Sequence, residues 1–189
     1  MKFLDKVKLE NKLIKNLKKN FKIGILGGTF DPAHKGHVKI SRESKKRFKL
    51  NYIIWAITKK NPFKKQSSLN LKSRINFAKK ITKKEKFIKI EFYEKKIKSN
   101  KTIDLIKFVK KINSSTKIYF IMGADNLINF HKWKKWKEIL NLCKILVFDR
   151  QGYKSKSLKS KAARYMNKNN WEFVKSNKIN ISSSQIRKI

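Results

Sequence analysis

The sequence predicts an α/β chain folded as a doubly wound parallel sheet in a single domain, and three observations carry that prediction. Apolar runs of four to seven residues recur along the chain. They are near-continuous rather than alternating, as in strands buried on both faces of a sheet. The segments between them are amphipathic and long enough for crossover helices, which parallel strands require and hairpins do not.

Taken in order, the expected strands are "FKIGILG" (21–27), "YIIWAI" (52–57), "FIKIEF" (87–92), "KIYFIMG" (117–123), "ILVFD" (145–149) and "WEFV" (171–174). Helices are expected near 35–48, 70–82, 102–113, 126–140 and 157–168. Residues 1–20 place Phe3, Val7, Ile14 and Leu17 near helical spacing with lysines between them, so an N-terminal helical extension is expected ahead of a domain spanning 21–189. In an open parallel sheet the ligand sits beyond the carboxyl ends of the strands, so the chemistry belongs to the residues that follow each run.

Composition narrows the function classes. The 189 residues suffice for one domain with a real core. A formal charge of +39 invites a nucleic-acid or anionic-membrane partner. The lysines, however, are spread over successive segments alongside many Asn and Ile, as a coding bias toward A and T would leave them, and are not gathered on one element. Neither a specific nucleic-acid partner nor a membrane is therefore expected. A single cysteine, Cys143, excludes an intramolecular disulfide and a cysteine-based zinc site. No apolar stretch approaches the ~20 residues that span a bilayer, and a reducing cytoplasm is the expected setting.

The least lysine-rich stretch, "GGTFDPAHKGH", follows the first expected strand. Gly27 and Gly28 carry no Cβ, so a phosphate can come close and positive φ is available. Pro32 stiffens the loop. A helix starting near His34 would aim free N–H groups at the same space, with His34 and His37 on one side of its first turn. Two histidines at this spacing, with one other His in the chain and no nearby Cys, are a poor zinc set, and no G-x-x-x-x-G-K-[ST] is present. Hydrogen bonding to phosphate oxygens suits them better.

This stretch resembles the signature of the nucleotidyltransferase superfamily marked by H-x-G-H, in the eleven-residue form typical of bacterial nicotinate-nucleotide adenylyltransferases. The resemblance extends through residues 21–189 and implies a Rossmann-like fold. By it, Asn61, Pro62 and Lys64 correspond to an N-P-x-K loop, Arg74 to an arginine on the next helix, and Thr102 and Asp104 to T-x-D. "GADNLINFHKW" carries Asp125 and Trp133, "RQGY" carries Arg150, and "ISSSQIR" carries Ser183, Ser184 and Arg187. Lys101 departs from the family pattern, where an aromatic is common, and Leu105 stands where a second threonine is usual.

The resemblance implies adenylyl transfer from ATP to nicotinate mononucleotide, with Mg²⁺ accompanying ATP. His34 and His37 are then catalytic. Gly27, Gly28, Thr29, Phe30, Lys64, Ser183, Ser184 and Arg187 are expected at ATP and its phosphates. Arg74, Lys101, Thr102, Asp125, Trp133 and Arg150 are expected at the acceptor nucleotide, with Trp133 stacking on the pyridine ring.

Overall fold

In the computed structural model, which describes residues 21–60, 67–112 and 115–175, six strands form one all-parallel sheet. The strands are β1 (Lys22–Gly28), β2 (Tyr52–Ile57), β3 (Ile88–Glu91), β4 (Lys117–Gly123), β5 (Lys144–Phe148) and β6 (Trp171–Val174). Their order in the sheet is β3-β2-β1-β4-β5-β6. The chain therefore winds outward from β1 in one direction, then returns to β1's other side and winds the opposite way. The reversal leaves a crevice between the carboxyl ends of β1 and β4.

The four central strands, β1, β2, β4 and β5, bury both faces, and alternate side chains enter two separate cores. Ile23, Ile25, Phe120, Met122, Ile145 and Val147 point into one. Leu26, Ile53, Trp55, Ile121, Leu146 and Phe148 point into the other. The second face is covered by α1 (Lys35–Phe48) and α2 (Leu71–Ile81). The first is covered by α4 (Thr102–Ile112), α5 (Ala124–Asn129), α6 (Trp136–Leu142) and α8 (Lys161–Tyr165), with short α3 (Glu94–Ile97) and α7 (Lys154–Leu158) beside them. A row of buried β-branched and aromatic residues on both sides is what turned these strands into near-continuous apolar runs.

Two expected helices are broken, and one short helix was not expected. The 126–140 segment divides into α5, a 3₁₀ turn (Phe130–Lys132) and α6. Trp133 is extended there (φ −74°, ψ 143°) and Lys135 is left-handed (φ 53°), so the helical path is interrupted by main-chain geometry. Edge-on packing of both Trp133 and Trp136 against Phe130 holds the break. The 157–168 segment becomes α7 and α8, because Ser160 starts a new helix by accepting the Ala163 N–H at 3.2 Å. Helix α3 has no counterpart among the expected elements.

Candidate active site

The loop after β1 delivers the histidines. Gly27 and Gly28 are the last residues of β1, and neither has positive φ. The left-handed residue is instead Phe30, at φ 50°. This turn tucks the Phe30 ring inward: it is 2% exposed, stacks on Trp55 at 4.9 Å and meets the His37 ring at 4.8 Å. Phe30 was expected at ATP; its side chain is instead part of the floor beneath His37.

His34 is the N-cap of α1, and the two imidazoles form a reciprocal cap. The Gly36 N–H donates to His34 Nδ1 at 3.1 Å, and the His34 N–H donates to His37 Nδ1 at 3.2 Å. Two N–H groups expected to meet an anion are thus taken by the rings themselves. A ring nitrogen that accepts a hydrogen bond carries no proton, so each neutral imidazole holds its proton on Nε2 and is a donor there. The rings lie 3.9 Å apart. Burial, followed by the nearby Arg150 cation, lowers the pKa of His34 to about 4, so it is neutral at pH 7.

His37 is braced from behind. Trp55, fully buried in β2, donates its Nε1–H to Ser41 Oγ at 2.9 Å, and Ser41 donates to the His37 carbonyl at 2.8 Å. Sequence reasoning missed both residues, because a Trp inside an apolar run and a Ser inside a helix look like core and filler.

Across the crevice, β4 ends at Gly123 and α5 begins. Asp125 accepts from Arg150 Nη1 at 2.7 Å. A Cβ on Gly123 would stand 2.5 Å from Asp125 Oδ1, so only glycine lets that carboxylate fold back over the strand end. The ends of β1, β4 and β5 thereby bring His34, Asp125 and Arg150 into one neighbourhood.

Beside them opens a cavity of about 350 Å³, whose walls include Gly27, Gly28, Lys101, Thr102, Phe120 and Trp133. Trp133 meets Phe120 edge-on (5.9 Å, 84°) and Phe130 likewise (5.3 Å, 72°), a packing that grips the indole by its edges. Lys101 ends the preceding loop, its carbonyl accepting from the Asp104 and Leu105 N–H groups at the start of α4. Thr102 is the first residue of α4. Glu94, on α3, also lines the cavity and accepts from the Thr58 hydroxyl and, at 3.2 Å, from the Lys59 N–H.

Arg74, expected at the acceptor nucleotide, is buried among main-chain carbonyls. It is 2% exposed, with its guanidinium bonded to the carbonyls of Leu69, Thr29, Thr58 and Lys59. It lies behind the loops, and Thr29 is one of the groups it holds. Lys64, Ser183, Ser184, Arg187 and the N-terminal extension lie outside the described residues.

Among the described residues no group of three or more His, Cys, Asp or Glu could hold a metal ion, and no helix there is long and apolar enough to cross a membrane.

A crevice at the reversal point, a paired-histidine helix cap and an aromatic-walled cavity together define a nucleotidyltransferase. The cytidylyltransferase-like family model matches residues 25–189, and the chain belongs to that family. Among its relatives, a probable nicotinate-nucleotide adenylyltransferase of Pelagibacter ubique (strain HTCC1062) is 63% identical over 183 residues, covering 97% of this chain and 99% of the relative. A protein of the same description from Ruegeria sp. (strain TM1040) is 33% identical over 142 residues, 75% of each chain. Of the solved structures, the Plasmodium falciparum nicotinic acid mononucleotide adenylyltransferase complexed with NaAD superposes with a TM-score of 0.67 at 19% identity, over 89% of this chain and 83% of that one. At that identity the likeness is one of fold.

Proposed function

We propose that this enzyme transfers the adenylyl group of ATP to nicotinate mononucleotide, a step in making pyridine dinucleotides. A phosphate oxygen of the mononucleotide attacks the α-phosphorus of ATP; the new P–O bond forms as the Pα–O bond to the β-phosphate breaks, and pyrophosphate leaves. The observation that carries this reading is that the wall of the Trp133 cavity includes Gly27 and Gly28, the strand end that leads into the loop bearing the paired-histidine cap. The description of the 63% identical relative supports the choice of acceptor.

No protein nucleophile is required. Two anions must be held in line against their repulsion, and positioning with charge neutralisation supplies most of the acceleration. His34 and His37 donate Nε2–H to oxygens of the transferred group. Arg150 adds a cation beside them, with Asp125 holding it and accepting ribose hydroxyls. The indole face of Trp133 takes the cationic pyridinium ring, and Lys101 and Thr102, on the wall of the same cavity, are assigned to its carboxylate. Lys64, Ser183, Ser184 and Arg187 are assigned to the ATP phosphates on the strength of the motif alone.

Magnesium is assigned as the companion of ATP; bound to the phosphates it would offset their charge. The cytoplasm, where ATP is made and a lone thiol stays reduced, is the setting this reading requires. The test is pyrophosphate release from ATP with nicotinate mononucleotide, nicotinamide mononucleotide and phosphopantetheine offered separately. Strong preference for the first is expected. Release only with another acceptor would overturn the assignment of the Trp133 cavity.

A further inference from the structure

Arg74 stands in the first turn of α2, yet its guanidinium bonds go to main-chain carbonyls outside that helix. Nε donates to Leu69 at 3.1 Å, Nη1 to Thr29 at 2.5 Å and Thr58 at 2.8 Å, and Nη2 to Lys59 at 3.1 Å. These carbonyls belong to three separate segments: the turn after β1, the loop after β2 and the entry to α2. All three lie at the carboxyl edge of the sheet. Two carboxylates flank the cation and extend the network. Asp31, 4% exposed, accepts the Ser68 and Leu69 N–H groups at 2.7 and 3.0 Å, tying the β1 turn to α2 a second time. Glu94 binds Thr58 and Lys59 from the other side and forms part of the cavity wall.

A continuous chain of bonds thus runs from Thr29, beside the Gly27–Gly28 strand end, through Arg74 and Thr58 to Glu94. We propose that Arg74 is a positioning residue that sets the spacing between the turn carrying the histidines and the wall of the acceptor cavity. A planar guanidinium, with five N–H groups in a fixed fork, can serve four carbonyls at once; an ammonium is a point charge with three donors and cannot span them. The attached segments bear on the reacting groups, and a displacement of about 1 Å can cost on the order of a hundredfold in rate. The buried cation therefore controls turnover without touching substrate.

This inference rests on the adenylyl-transfer reading, and wild-type turnover in the same assay separates the two. The experiment compares the full chain with Arg74→Lys and Arg74→Ala, measuring kcat, KM, thermal stability and rescue by added guanidinium. Expected are folded variants whose kcat falls by about a hundredfold, with free guanidinium restoring kcat in Arg74→Ala but not in Arg74→Lys. A kcat per folded molecule equal to wild type, or guanidinium raising stability without raising kcat, would overturn the proposal. Should neither variant fold, Thr58→Val removes the hydroxyl bond to Glu94 and leaves only the Lys59 N–H on that carboxylate: a fall in kcat at unchanged thermal stability supports the proposal, and an unchanged kcat overturns it. An inactive wild type would remove the reaction that Arg74 is said to serve.

Discussion

The carboxylate of Asp125 and the guanidinium of Arg150 meet at 2.7 Å beyond the ends of β4 and β5, and the same guanidinium acts on His34 beyond the end of β1. Three strand ends are coupled through one cation. The pair is only partly buried, with side-chain exposures of 35% for Arg150 and 13% for Asp125, so its Coulomb energy is screened and its main effect is to fix geometry. Gly123→Ala tests this. The added methyl forces the Asp125 carboxylate away from its fold-back position, and KM for the nucleotides is expected to rise while the far-UV spectrum stays that of wild type. An unchanged KM would release Asp125 from nucleotide binding.

His37→Ala is expected to leave a folded domain with turnover reduced by about 10²–10³, the usual cost of losing one donor to developing charge. The variant also loses the acceptor for the His34 N–H, a cap worth about 1 kcal/mol. Pyrophosphate release read beside thermal stability separates these effects, and a normal rate would remove the ring from the chemistry.

Acid should expose His34. Its pKa of about 4 in the fold lies below its ordinary 6.5, so between those values the unfolded chain binds more protons than the native one. The stability contributed by keeping His34 neutral is therefore fully present above about pH 6.5 and is lost progressively as pH falls toward 4. The bond that fails is the helix cap, since a protonated Nδ1 cannot accept from Gly36. Histidine NMR of the free protein should find this ring neutral midway between the two values; a midpoint near 6.5 would contradict the burial seen here.

Cys143 is the control for chemistry that is absent. Burial pushes its thiol up to about 12, so almost no thiolate exists at neutral pH. Alkylation by iodoacetamide is expected to proceed only at the rate of unfolding; rapid labelling of the native enzyme would contradict the packing of α6 against β5.

Trp133→Ala should raise KM for the acceptor by roughly tenfold, the scale of a desolvated cation–π contact, while KM for ATP changes little. Equal changes in both would take the indole away from the pyridine ring.

The six strands were legible in sequence because burial on both faces leaves an uninterrupted apolar run, and each was located to within a residue or two. The two broken helices were not. Their breaks are made by Lys135 adopting a left-handed conformation and by Ser160 capping a new turn, choices that leave the apolar periodicity almost intact. At the site, the glycine–histidine motif was visible as a deviation from a lysine-rich background. Its workings were not: positive φ falls on Phe30 rather than the glycines, and the imidazoles consume helix N–H groups that looked available. Arg74 shows the limit most clearly, because an arginine beneath a loop and one facing a ligand have the same spelling.

The chain holds 12 acidic residues against 51 lysines and arginines, and the carboxylates described above are not spare. Asp31 and Glu94 frame the Arg74 network, Asp125 anchors Arg150, and Asp104 accepts from Ser99 at 2.6 Å ahead of α4. Glu85 pairs with Arg42, Glu138 with Lys107, and Glu172 with both Arg47 and Lys144. A lysine gained on the exposed surface changes little, but loss of the carboxylate at Asp31, Glu94 or Asp125 withdraws a joint of the site, so a saturation screen for growth should tolerate substitution there less than at the exposed lysines.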